Sequence, residues 1–180
     1  LKNDHAAASA WVCRWARLLP RQAHVLDVAA GAGRHSRFLT DLGHTVTAID
    51  VDASLLAQSG AAEIVCADLE QSGVLLAGRR FDGVIVTNYL HRPLFAQIAA
   101  WLGEHGVLIY ETFARGQAAF GRPTNPDFLL EPGELLSAFA QLQVVAFEQG
   151  IDEGPPQRAV QRLCAVRHSR ALPISGFTSP

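Results

Sequence analysis

Between Ala23 and Glu111 the hydrophobic pattern of the chain switches repeatedly between the two-residue alternation of a strand and the longer repeat of a helix. Ala23–Val28, Thr45–Asp50, Glu63–Cys66, Phe81–Thr87 and Val107–Glu111 read as strands. Arg34–Leu42, closed by Gly43, reads as a helix, as do Ser54–Gln58 and Pro93–Leu102. Strands and helices alternating at such intervals form βαβ units, which build a parallel sheet covered by helices on both faces. The expected fold is therefore a doubly wound α/β domain, and sheets of this kind bind ligands beyond the carboxyl ends of their strands. After Phe113 the pattern breaks. Residues 113–132 are rich in Gly, Pro and Asn and have little periodicity, and loops of that length are usually functional or disordered. Glu134–Phe139 reads as a short helix, and Gln143–Glu148 and Arg158–Val166 as two closing strands. Their link through Gly154, Pro155 and Pro156 is too short for a crossover, so these two strands run antiparallel. The sheet expected is seven-stranded, mostly parallel, with an antiparallel last strand.

At the other end, Ala6–Leu19 reads as an amphipathic helix ended by Pro20. Trp11, Trp15, Leu18 and Leu19 form its apolar stripe, and Arg14 and Arg17 lie outside it. Three segments follow: residues 1–22 as a helix packing on the domain, 23–167 as the domain itself, and 168–180 as a mobile tail without periodicity. Composition bounds the function. The chain has 180 residues, 49% of them hydrophobic and 18% charged, enough for one cored domain. A net charge of -2 provides no long-range field for nucleic acid or an anionic membrane. Cys13, Cys66 and Cys164 are far apart and odd in number, forming neither a disulfide framework nor a zinc ligand set. That pattern, and the lack of any apolar run near the roughly 20 residues of a membrane span, point to the cytoplasm. No metal is expected, because no His/Cys cluster has ligand spacing.

The chemistry is concentrated in Val25-Leu-Asp-Val-Ala-Ala-Gly-Ala-Gly-Arg34, where a strand runs through Gly31-Ala-Gly33 directly into a helix. Glycines there let the backbone turn tightly and approach a ligand, and the helix N-terminus favours negative charge. Asp50 ends the next strand, where a carboxylate can accept both hydroxyls of an adenosine ribose. Asp27 in the first strand, Val51 after Asp50, and Ala67-Asp68-Leu69 after the third strand sharpen the pattern.

These residues resemble the class I methyltransferases that use S-adenosylmethionine, whose first motif reads acid-x-Gly-x-Gly-x-Gly. Here it is Asp27-Val-Ala-Ala-Gly31-Ala-Gly33, with Ala29 in place of the first glycine; the turn stays intact if φ there is negative. The resemblance runs from Val25 to Val166 and implies a Rossmann-like sheet with the antiparallel strand already noted. His91-Arg92-Pro93, Tyr110-Glu111-Thr112-Phe113 and Gly121-Arg-Pro-Thr-Asn-Pro-Asp-Phe-Leu-Leu130 look like small bacterial methyltransferases of the tellurite-resistance and quinone-biosynthesis types. By this resemblance Gly31 and Gly33 contact the methionine part of S-adenosylmethionine, Asp50 the ribose and Asp68 the adenine amino group, with Leu69 beside the ring. Asp27 orients the loop and the cofactor ammonium, and Ala29, Arg34, Val51 and Asn88 complete the expected cofactor contacts. NAD is the weaker reading. Its fingerprint places a third glycine where this chain has Ser36, and 180 residues leave little mass for a dehydrogenase's substrate domain.

Methyl transfer from a sulfonium is an in-line displacement whose leaving group needs no proton, so a base is required only for a protonated acceptor. Candidates lie after the fourth and fifth strands. His91 reads as a base or as a capping or surface residue before Pro93. Tyr89 reads as a pocket wall around the methyl group or as a structural aromatic. Glu111 reads as a base, a site for a cationic acceptor, or a buried partner of Arg115 or Arg122. Arg34 and His35 stand near the cofactor carboxylate or are ordinary solvated residues. Arg92, Arg115 and Arg122 around one pocket would suit a carboxylate or oxyanion. Alternatively, Arg122 and Asp127 pin a lid. The leading expectation is a methyltransferase for a small acceptor, with an anionic one as the option that the arginines raise. The alternatives are an RNA or protein methyltransferase working with a partner, and a non-catalytic S-adenosylmethionine-binding domain; nucleic acid is not the expected partner.

Overall fold

The computed structural model describes residues 7–71 and 75–167, so the tail expected to be mobile, 168–180, lies outside the described residues. The strands are β1 His24–Val28, β2 Thr45–Asp50, β3 Glu63–Cys66, β4 Phe81–Thr87, β5 Leu102–Phe113, β6 Gln143–Asp152 and β7 Arg158–Val166. They form one sheet in the order β3-β2-β1-β4-β5-β7-β6. β1 to β5 are parallel. β7 enters between β5 and β6 and is antiparallel to both, so it alone runs against the other six. The fold class is the one expected.

Five α-helices flank the described sheet: α1 Ala10–Trp15, α2 Arg34–Asp41, α3 Ala53–Leu56, α4 Phe95–Trp101 and α5 Glu134–Ala138. Alternation along the strands sends their side chains into two cores. Val25, Val46, Ile85, Val107 and Ile109 pack with Trp11, Val12 and Trp15 of α1 and Leu39 of α2. Leu26, Val28, Val84, Val86, Leu108 and Tyr110 pack on the opposite face with Ile98, Trp101, Leu135 and Phe139. Each such fully buried aliphatic side chain contributes about 1.5–3 kcal/mol of transfer free energy.

Some boundaries differ from the expected ones. The first helix starts at Ala10 because Ser9 caps it, its Oγ accepting the Trp11 N–H at 3.1 Å, and it tightens into a 3₁₀ turn over Ala16–Leu18. β5 begins at Leu102, which pairs with Phe81 before a bulge, and β6 continues past Glu148 to Asp152. These added segments are polar or irregular, so no apolar alternation marked them. The loop 113–132 is ordered by two 3₁₀ turns, Gln117–Ala119 and Pro126–Phe128, and by a bridge between Ala114 and Leu130.

Candidate active site

The turn after β1 places Ala29, Gly31 and Gly33 all in left-handed backbone, at φ 54°, 53° and 75°. The condition set on Ala29, a negative φ, is not met, yet the turn forms: an alanine occupies a conformation that costs a non-glycine residue about 1–2 kcal/mol. Replacing Ala29 by Gly relieves that strain and loses about 0.4–1 kcal/mol through the freer unfolded chain. A net gain of about 0.5–1 kcal/mol is expected, read as a higher urea midpoint; a lower midpoint would refute the strain. A Cβ on Gly33 would lie 2.3 Å from Ser59 Cα, so glycine is also required there for α2 to pass the end of α3. A Cβ on Gly31 would meet nothing within 4 Å, leaving that side of the loop open.

Asp50, at the end of β2, holds this loop. Its Oδ2 accepts the Gly31 N–H at 2.8 Å and its Oδ1 the Asp52 N–H at 3.0 Å. Each oxygen retains a lone pair for a further donor. Val51 beside it is exposed. Across the β2–β3 edge, Asp68 Oδ1 accepts the Glu70 N–H at 2.9 Å, and Leu69 is buried. Arg34, the first residue of α2, donates to Ala7 O at 3.5 Å.

On the face covered by α1 and α2, the alternation that buries Val25, Ile85 and Ile109 continues to Asp27, Thr87 and Glu111 at the carboxyl ends of their strands. Each of these buried polar residues has a partner from a covering helix. Asp27 accepts Ser36 Oγ–H at 2.6 Å, and burial pushes its carboxyl up to about 6 against the pull of Ser36. Ser36, the position a dinucleotide fingerprint gives to glycine, is thus spent on Asp27. His35 Nε2 accepts the Ser9 N–H at 3.2 Å, so its proton lies on Nδ1, which faces Thr87 Oγ1 at 3.2 Å. Burial and nearby Arg34 depress the His35 imidazolium to about 3, so the ring is neutral at ordinary pH.

Glu111 is fully buried. Its Oε1 accepts Ser9 Oγ–H at 2.9 Å, its Oε2 accepts from Arg162 Nε, and Arg158 stands 3.9 Å away. The partners expected from sequence, Arg115 and Arg122, are not the ones found. Register decides it, since Glu111 lies opposite Arg162, which in turn lies opposite Glu148. Arg162 also binds Asp152, which Arg158 contacts at 2.8 Å. Two of the three expected acceptor arginines are likewise engaged. Arg92 forks onto Glu134 at 2.6 and 2.9 Å and donates to the carbonyls of Asp127 and Leu129 at 2.7 and 3.0 Å. Arg115 pairs with Glu131. Both tie the long loop to its surroundings.

Beyond the ends of β4 and β5, a cavity of about 610 Å³ brings together Asn88, Tyr89 and Arg122, with Thr112, Phe113 and Phe128. Glu70 is the one carboxylate on its wall. The Tyr89 hydroxyl is buried with no hydrogen-bond partner among the described residues. Burial and the acidic Glu70, Asp68 and Asp50 push its phenol up to about 12, so it is a proton-bearing donor. His91 is half-buried ahead of the 3₁₀ turn Arg92–Leu94 and is not part of the cavity wall, nor are Arg92, Glu111 and Arg115. Sequence reasoning missed Ser9, Ser36 and Arg162. The capping Ser before an apolar stripe was a readable signal for the first; the others depend on pairing and packing.

Residues 25–106 match the family model of a methyltransferase domain. No curated protein sequence matches the chain. Among solved structures, the fold is similar to that of TehB from Haemophilus influenzae, with a TM-score of 0.77 at 16% identity over 93% of this chain. This chain spans 65% of that one. A TehB-like S-adenosylmethionine-dependent methyltransferase from Corynebacterium glutamicum gives 0.66 at 18% identity, covering 91% of this chain and 90% of its own. The 1,6-didemethyltoxoflavin-N1-methyltransferase of Burkholderia thailandensis, solved with 1,6-didemethyltoxoflavin and S-adenosylhomocysteine, gives 0.60 at 23% identity, covering 89% and 77%. The family match spans the glycine loop, Asp50 and Asp68, and the sheet around them has the fold of these solved structures.

Proposed function

We propose that this domain methylates a small, anionic acceptor, held in the cavity beyond β4 and β5, and that it works in the cytoplasm. One observation carries the reading: an open glycine loop braced by Asp50 and a largely apolar cavity with an unpartnered tyrosine hydroxyl occur at the same carboxyl edge of the sheet. The residues present fit S-adenosylmethionine. Asp50 has free lone pairs for the ribose and Asp68 for the adenine amino group, and Leu69 offers an apolar surface to the ring. Gly31, Arg34 and Asn88 surround the amino-acid end, and buried Asp27 suits its ammonium. When bound, the cofactor supplies an electrophilic methyl group on a positively charged sulfur. The chain's own part is alignment and exclusion of water, for which effective molarities of about 10⁵–10⁸ M have been reached by well-oriented partners. Tyr89, protonated throughout the physiological range, orients a bound group by donating to it and takes no proton.

Titration with S-adenosylhomocysteine, with NADH as control, tests the cofactor side. Micromolar binding of the former alone is expected, and binding of NADH alone would overturn the reading. The pH dependence follows from Asp27. Its folded pKa, about 6, stands above the roughly 3.9 of an unfolded Asp. Its contribution to stability is therefore full below about pH 4 and is lost as pH rises through 6. Ligand binding has the opposite slope, because an ammonium needs the carboxylate. S-adenosylhomocysteine affinity should fall by up to about tenfold per pH unit below 6, and Asp27→Asn should bind weakly with a flat profile. A wild-type profile flat from pH 5 to 8 would remove Asp27 from the site.

A further inference from the structure

We propose that Arg122 is the residue that selects the acceptor, and that the acceptor is a flat aromatic molecule carrying a single carboxylate. This rests on the methyltransferase reading above and names the ligand class for the same cavity. Arg92 and Arg115 already have carboxylate partners, whereas the Arg122 guanidinium has none among the described residues and stands on the cavity wall. Its backbone is held firmly. Gln117, almost fully buried, donates from Nε2 to Arg122 O at 3.1 Å and accepts the Ala159 N–H on Oε1 at 2.9 Å. The exposed cationic head on an anchored backbone is thus available to a ligand at the cavity wall, which the heads of Arg92 and Arg115, held by Glu134 and Glu131, are not.

The neighbouring groups narrow the class. Asn125 Oδ1 accepts the Asp127 N–H at 3.0 Å, which fixes the amide and leaves its two N–H donors without a partner among the described residues. Guanidinium fork and amide together match the planar, two-oxygen geometry of a carboxylate. Phe113, Pro123 and Phe128 form apolar walls, and Phe128 is 47% exposed, a large uncovered ring at the mouth. Such surfaces suit the face of an aromatic ring. Glu70 repels a second anionic group, which limits the ligand to one.

The test uses the protein loaded with S-adenosylhomocysteine and three probes: 4-hydroxybenzoate, its neutral amide 4-hydroxybenzamide, and the non-aromatic cyclohexanecarboxylate. Calorimetry should show 4-hydroxybenzoate binding at least about tenfold tighter than either of the others, the scale of one charge-assisted hydrogen-bonding site. Arg122→Gln should erase the difference between acid and amide, and Arg122→Lys should retain part of it. Both variants should keep wild-type S-adenosylhomocysteine affinity and urea midpoint. Equal binding of acid and amide by the wild type, no binding of any probe, or undiminished discrimination in Arg122→Gln would overturn the proposal. Failure of the wild type to bind S-adenosylhomocysteine would instead overturn the reading beneath it.

Discussion

Replacing Asp50 by Ala should weaken S-adenosylhomocysteine binding by about 2–3 kcal/mol, roughly 30- to 150-fold, the range for a lost charged hydrogen-bonding group. Two losses combine. The ribose loses its acceptor, and the Gly31 N–H, now held at 2.8 Å, loses the bond that fixes the glycine loop. Asp50→Asn separates them, since an amide oxygen can still brace Gly31 while offering a weaker acceptor to the ligand. It should fall between the wild type and Asp50→Ala in a calorimetric titration. Unchanged affinity in Asp50→Ala would place the cofactor elsewhere.

Glu111→Ala should cost about 3 kcal/mol of stability. Removing one member of a buried ion pair usually costs about 3–5 kcal/mol, but Arg162 keeps Asp152 and Glu148, which puts the loss at the low end. Ser9 and Arg158 lose a partner as well. Denaturation in urea measures this directly. Glu111→Gln distinguishes the network from a general base: a structural carboxylate predicts a lowered midpoint with S-adenosylhomocysteine affinity largely kept, and a base predicts an unchanged midpoint with turnover lost. A wild-type midpoint in Glu111→Gln would contradict the structural role.

The legibility of the site follows the range of the forces involved. β1, β2 and β4 were readable because strands buried on both faces must be apolar runs, and Asp50 because a carboxylate ending such a run has one end of the sheet to occupy. The reversed strand was readable from a link too short to cross over. The φ of Ala29 was not readable, because its left-handed backbone is imposed by the loop closing onto Asp50, against the residue's own preference. Glu111 could not be paired from sequence, because its partner was decided by which strand lies next to β5; insertion of β7 there brings Arg162 opposite it. Arg92 and Arg115 were grouped with Arg122 by residue type alone. Their separation into two tethers and one free head depends on where Glu131 and Glu134 fall after the loop turns back.

The placement of β7 also bears on when the N-terminal helix can finish docking. Trp11 Nε1 donates to the carbonyl of Leu163 at 3.4 Å, and Ser9 meets a carboxylate that Arg162 holds. Docking α1 therefore needs a surface that is complete only once residues 158–166 have slipped between β5 and β6. Val25, Leu39, Val46 and Ile85 of the same core are made earlier, but the bond from Trp11 to β7 waits for nearly the whole sheet. Contacts of such sequence separation slow folding and prolong the exposure of sticky surface. Trp11 should accordingly complete its burial late, and chaperone contact with the start of α1 should persist until β7 is in place.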